Sequence, residues 1–155
     1  MQKVFEHVID LSEHAADGLT VEKLWAGIED FALHPHEYVD SMQKSRVESC
    51  SSDDERRRFS RELDFGGSLV VCDVVELEPP VRLTTLVSAS GPIPESRLDI
   101  TVHCEENGAL ELRFCYFETP VEGEGMPHMM QELRKKAWLA KDQRVVAQLI
   151  EALKD

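Results

Sequence analysis

Three side chains in this sequence are of a kind that does chemistry and also fall where alternation turns them inward. From Arg57 to Phe65 the residues Phe59, Arg61, Leu63 and Phe65 share one face, against Arg58, Ser60, Glu62 and Asp64 on the other. By the same rule His7 travels with Phe5, Ile9 and Leu11, and Tyr116 with Leu112 and Phe114. Asp73 is a fourth, less sharply placed candidate. An inward arginine beside an inward acid pairs with it, because an isolated buried charge is expensive. Functionally, such a group is a polar spot that orients a carboxylate or enol, with His7 or Tyr116 as the acid–base group. The competing reading is an internal network, satisfied within itself, or side chains snorkelling at a pocket mouth. A single β-bulge would exchange the two faces.

The remaining candidates are weaker. His34-Pro35-His36 has the look of a two-histidine ligand pair, but it sits at a helix stop and lacks a nearby cysteine or third histidine, so no metal is expected. His103 alternates outward, and His128 falls on a first helical turn. Arg56-Arg57-Arg58 follows Asp53-Asp54-Glu55 and reads as a local ion-pair cluster. Ser12, Ser60 and Ser88 lack the G-x-S-x-G setting of a hydrolase nucleophile, and no glycine-rich phosphate loop is present. Cys50, Cys72, Cys104 and Cys115 have neither CxxC nor CxxH spacing and are expected as buried free thiols. No cofactor is implied.

The elements that must position these residues are mostly strands. Lys3 to Leu11 is the first, followed by a polar connection from Ser12 to Gly18. Thr20 is a good N-cap for a helix that carries Leu24, Trp25, Ile28, Phe31 and Ala32 at helical spacing and stops at Pro35. His36-Glu37-Tyr38-Val39 reads as a second short helix, making a helix pair. Six strands follow: Ser41 to Ser51, Arg57 to Phe65, Leu69 to Glu78, Val81 to Ala89, Arg97 to Glu105 and Leu110 to Glu118. Ser52-Asp53-Asp54-Glu55, Gly66-Gly67, Pro79-Pro80, Ser90-Gly91-Pro92-Ile93-Pro94 and Asn107-Gly108 punctuate them. Short connections imply an antiparallel meander, with the first strand joining its far edge.

Met126 to Asp155 closes the chain as one long helix rich in good helix formers. Pro127 suits its first turn, and Glu122 and Glu124 suit the positive end of its dipole. Two apolar stripes run along it. Met126, Met129, Met130, Leu133, Ala137 and Ala140 form the first. Val145, Leu149, Ala152 and Leu153 form the second, with Trp138 on its extension. The expected arrangement is α+β: a curled seven-stranded antiparallel sheet whose concave side is closed by the long helix, with the short helix pair supporting one end. Leu133 and Ala137 are expected to face the space between helix and sheet.

At 155 residues the chain fits a single domain, residues 1–155, with enough burial for a real core. A net charge of −13 argues against nucleic acid and anionic membrane surfaces as partners. No apolar run approaches the ~18 residues of a membrane span. Residues 2–11 alternate rather than forming a signal-peptide core, so a cytoplasmic location is expected.

The element order, the opening Leu19-Thr20-Val21-Glu22-Lys23-Leu24-Trp25-Ala26-Gly27, the Phe65-Gly66-Gly67 turn and the Glu78-Pro79-Pro80-Val81-Arg82 step together resemble the SRPBCC superfamily of helix-grip proteins. That superfamily contains the birch-pollen allergens, START lipid-transfer domains and aromatic polyketide cyclases. Within it the chain is most similar to the AtaL-like branch. The resemblance implies a cavity for a hydrophobic ligand and carries no catalytic residues to transfer. The side chains expected at that cavity are His7, Arg61, Phe59, Leu63, Ile100, Val102, Phe114, Tyr116, Met130, Leu133 and Ala137. Two functional readings stand side by side: a binding protein for a small apolar or aromatic molecule, and a cyclase, aldol or hydrolase-type enzyme using the same space. A third is an interaction domain, a homodimer through the second stripe of the long helix.

Overall fold

The computed structural model describes residues 1–53, 55–90, 93–120, 123 and 125–154. Its seven strands are β1 (Gln2–Asp10), β2 (Lys44–Ser52), β3 (Arg57–Asp64), β4 (Val70–Glu78), β5 (Arg82–Val87), β6 (Ser96–Cys104) and β7 (Leu110–Glu118); its two α-helices are α1 (Val21–Leu33) and α2 (His128–Ala152). The strands make one curved antiparallel sheet in the order β1-β7-β6-β5-β4-β3-β2. The first strand pairs with the last, His7 opposite Phe114, while β2 to β7 run as a meander.

Local chemistry accounts for the boundaries. Thr20 caps α1, its hydroxyl accepting from the Lys23 amide at 3.2 Å. Gly66, Gly67 and Ser68 take successive positive φ values of 83°, 58° and 74° to turn β3 into β4. Gly108 does the same between β6 and β7 at φ 86°. Two expected elements differ. The polar connection after β1 is itself a 3-10 helix, Ser12–Asp17, and the expected second helix is a single 3-10 turn, Pro35–Glu37. Asp54, Gly91, Pro92, Glu122, Glu124 and Asp155, which entered the expected turns and helix ends, lie outside the described residues.

The inward faces of the strands meet the helices in one core. Phe59, Val75, Leu77, Leu83, Ile100, Leu112 and Phe114 come from the sheet, Leu24, Trp25 and Ile28 from α1, and Val145, Val146, Leu149 and Ile150 from α2. Gly27 marks a close approach of α1 to α2: a Cβ there would lie 2.7 Å from Leu149 Cδ2.

The rotation of α2 overturns part of the sequence reading. Val145 and Leu149 of the second stripe are buried, with Leu153 half-buried and Ala152 exposed; the first stripe, with Met129, Met130, Leu133, Ala137 and Ala140, is exposed. Trp138 and Asp142 fix the orientation. The indole stacks on the Tyr116 ring with centroids 4.3 Å apart, and the Asp142 carboxylate is 2% exposed and bonded to the sheet. Val145 and Leu149 of the second stripe, which the dimer reading would have used, lie in the chain's own core, while Ala152 of that stripe is exposed.

Three of the four cysteines, Cys50, Cys72 and Cys104, are exposed rather than buried: Cys72 alternates outward beside inward Asp73, Cys50 lies on the edge strand β2, and Cys104 is the last residue of β6. The arginine run has partners outside its own turn: Arg56 reaches Glu78 and Arg58 reaches Glu76, both on β4, and Arg57 reaches Glu29 on α1. No helix among the described residues is long and apolar enough to cross a membrane.

Candidate functional site

Between the sheet and α2 lies a cavity of about 250 Å³. Its walls are mostly apolar: Ile28, Phe31 and Val39 on one side, Leu63, Leu83, Leu98, Ile100, Leu112 and Phe114 from the sheet, and Val145, Val146 and Leu149 from α2. Ser41, Arg61, Asp73, Thr85, Lys141 and Asp142 are the polar residues in the lining. An apolar cavity of about 150 Å³ holds a benzene ring. The space here therefore suits one substituted ring or two fused ones.

The first polar group of the wall is an ion pair. Arg61 and Asp73 sit directly opposite each other on β3 and β4, both buried. Arg61 Nε donates to Asp73 Oδ1 at 2.9 Å, Nη2 to Oδ2 at 2.6 Å, and Nη1 to the Ala32 carbonyl at 2.9 Å. A guanidinium carries five hydrogens, so a second hydrogen on each Nη is not used by these contacts.

The second centres on Asp142 in the middle of α2. The Tyr116 hydroxyl donates to its Oδ2 at 2.6 Å, and His7 Nε2 lies 2.7 Å from the same oxygen. A carboxylate oxygen accepts, so Nε2 is assigned as the protonated ring nitrogen. His7 Nδ1 is buried without a partner among the described residues. The imidazole is held flat against Phe114, centroids 4.8 Å apart at 7°. Burial first, then the Asp142 charge and its hydrogen bond, push the Tyr116 phenol well above the ordinary tyrosine range. Tyr116 is therefore a fixed donor to Asp142 and not a base. Asp142 Oδ1 takes no part in these bonds; its nearest cation is Lys141 Nζ at 3.8 Å.

Of the residues singled out from the sequence, Arg61, Leu63, Ile100 and Phe114 line this cavity. His7 and Tyr116 stand behind its wall, bonded to Asp142, with His7 also stacked on Phe114. Phe59 and Val102 are buried one inward position beyond the lining residues of their own strands and belong to the packed core. Met130 and Leu133 are exposed, at 53% and 54%, and Ala137 faces a groove on the outer surface; the expectation that they contact the cavity is corrected by the rotation of α2. Asp142 went unrecognised in the sequence. Its signal was the line Trp138, Asp142, Val145, Leu149 at helical spacing, a carboxylate interrupting an apolar face just where inward His7 and Tyr116 need a partner.

His34 and His36 part company. His36 Nδ1 lies 2.7 Å from Ser45 Oγ, and His34 joins Asp30 and Glu37 in an exposed cluster with one ligand-type atom each within 4.8 Å. His34 Nδ1 is itself 3.2 Å from Asp30 Oδ1.

A family model described as AtaL, acetylaranotin biosynthesis cluster protein L, matches residues 7–155. Among curated proteins no sequence matches. Solved structures show the same fold at low identity. The Zhui aromatase/cyclase from Streptomyces sp. R1128 is similar at a TM-score of 0.63 and 10% identity, over 97% of this chain and 92% of that one. The di-domain aromatase/cyclase StfQ of the steffimycin biosynthetic pathway is similar at 0.66 and 10%, over 94% of this chain but 48% of the longer one. A START superfamily protein from Mycobacterium smegmatis is similar at 0.62 and 10%, over 96% and 97%. The fold is thus the helix-grip fold of the SRPBCC superfamily.

Proposed function

The chain belongs to the family of acetylaranotin biosynthesis cluster protein L, and on that premise we propose that it binds a small aromatic or largely apolar molecule in the cavity between sheet and α2. One observation carries this reading: an apolar space of about 250 Å³ that keeps two buried polar groups on its wall, each with hydrogen-bonding capacity left over. A cavity that was only a packing defect would have no reason to hold Arg61, Asp73 and Asp142 at its surface, given the cost of burying them. The apolar walls supply affinity; the spare Arg61 hydrogens and Asp142 Oδ1 set orientation.

Calorimetric titration with 2-naphthol tests it. Saturable one-to-one binding is expected, lost in Leu98→Trp, which fills the space from a half-buried wall position. Absence of saturable binding to the wild-type protein would overturn the reading. Native mass spectrometry of freshly purified protein would identify a retained molecule directly.

One arrangement favours a second reading, a cyclase or aldol type of enzyme. Asp142 stands on the wall with Tyr116 and His7 each within hydrogen-bond reach of its carboxylate, three polar groups in one cluster. In that reading Asp142 Oδ1 takes a proton from carbon beside a carbonyl, and Arg61 N–H groups receive the enolate oxygen. Asp142→Asn would then lose turnover while retaining binding.

A further inference from the structure

The cavity does not end at its own wall. A groove of about 600 Å³ runs along the outer surface between residues 38–41 and the exposed face of α2, where Ala137, Ala140, Lys141 and Arg144 form its floor and rim. Val39, Ser41 and Lys141 line both this groove and the internal cavity. Ser41 is exposed, and Val39 and Lys141 are half-buried, so these three residues form the mouth that joins the two spaces. Outside the mouth the chemistry changes. The interior is apolar; the rim carries Lys141 and Arg144, with Lys136 on the same exposed side of the helix, in a chain whose net charge is −13.

The two rim cations are loosely held. Arg144 Nη1 is 3.4 Å from Asp40 Oδ2, with both side chains largely in solvent, and such a pair is worth little. Lys141 Nζ stands 3.8 Å from Asp142 Oδ1, beyond hydrogen-bonding distance, while Oδ2 of that carboxylate is already served by Tyr116 and His7. Either cation can turn to a ligand anion at small cost.

We propose that groove and cavity are two halves of one site, and that its ligand is amphiphilic: an apolar ring seated inside, and an anionic extension passing between Val39 and Lys141 to lie against Lys141 and Arg144. This deepens the binding function proposed above and rests on it. The mouth makes the site selective by shape and charge together. A ring that carries its anion directly would have to bring the charge inside, where desolvation opposes it, whereas a ring with a short tether leaves the charge at the rim.

The test compares 2-naphthoxyacetate with its uncharged amide by calorimetry on the wild-type protein, Lys141→Gln and Arg144→Glu. The wild type is expected to prefer the anion by roughly fivefold to tenfold, as two partly exposed ion pairs would give. The preference should shrink in Lys141→Gln and reverse in Arg144→Glu, and in the wild type it should fade as salt is raised. Equal affinity of the wild type for the two probes, or a preference that survives both substitutions, overturns the proposal and leaves the cavity reading intact. Failure of the wild type to bind either probe would instead sink the cavity reading, and this inference with it.

Discussion

Arg61 and Asp73 face each other across adjacent strands inside the protein, joined through two parallel contacts of 2.9 and 2.6 Å. The pair is a liability unless both members are present. Asp73→Ala strands the guanidinium in the core and is expected to cost about 3–5 kcal/mol in urea unfolding, whereas the double replacement Arg61→Met, Asp73→Leu should recover most of that loss. A double variant no more stable than the single one would show that the pair contributes more than mutual neutralisation.

Both tyrosines of the chain are held protonated. Burial and then Asp30 raise the Tyr38 phenol; burial and then Asp142 raise that of Tyr116. The folded pKa values lie above the unfolded one, so this contribution to stability is fully present below a pH of about 10 and is lost as pH rises beyond it. Phenolate absorbance near 295 nm should therefore appear together with loss of far-ultraviolet helical signal in an alkaline titration, not before it. Tyr116→Phe should cost about 1–2 kcal/mol, because Asp142 keeps its position but loses a donor.

The contact of the two helices makes Gly27 sensitive. In Gly27→Ala the new methyl meets the Leu149 side chain, which is itself 2% exposed and has little room to move. A loss of about 1–3 kcal/mol in thermal unfolding is expected, despite the better helix propensity of alanine. A neutral or stabilising outcome would mean that α2 slides outward at that point.

Along α2 the two stripes should respond oppositely to substitution. Leu133→Gln, on the exposed side, should leave stability within about 0.5 kcal/mol. Leu149→Ala, on the buried side, should cost about 2–5 kcal/mol. Equal losses at the two positions would contradict the helix rotation.

Thiol reactivity gives an independent readout of burial along the strands. Cys50, Cys72 and Cys104 should react quickly with a disulfide reagent in the native protein. Cys115 should lag, since it is half-buried and both burial and Glu6 hold its thiol above the ordinary range.

These expectations show where sequence patterns were sufficient. Alternation in β3, β6 and β7 placed Arg61, Ile100 and Phe114 inward because a strand has only two faces, and strong turn residues such as Asn107-Gly108 pinned the register. Thr20 announced the start of α1. The helix that completes the site was harder. A helix has a continuum of faces, and the apolar stripe of Met130, Leu133 and Ala137 outweighed the one that is buried. What sets the rotation is polar and tertiary: a carboxylate that two distant residues, His7 and Tyr116, both require. Hydrophobic periodicity assigns such a residue to solvent. The cavity's polar pairing could be anticipated from Arg61, but its mouth could not, because Val39, Ser41 and Lys141 meet only in three dimensions.

The pairing of β1 with β7 also has a consequence for the newly made chain. Residues 2–10 bond to residues 110–118, so β1 has no sheet neighbour until β7, about a hundred residues further along the chain, has been made. Phe5 and Ile9 must meanwhile wait beside an incomplete meander, and α2, which supplies Asp142 to His7, comes later still. Ribosome-bound intermediates cut short before residue 118 should therefore expose β1 as a sticky, unpaired strand, the natural target for a holdase chaperone.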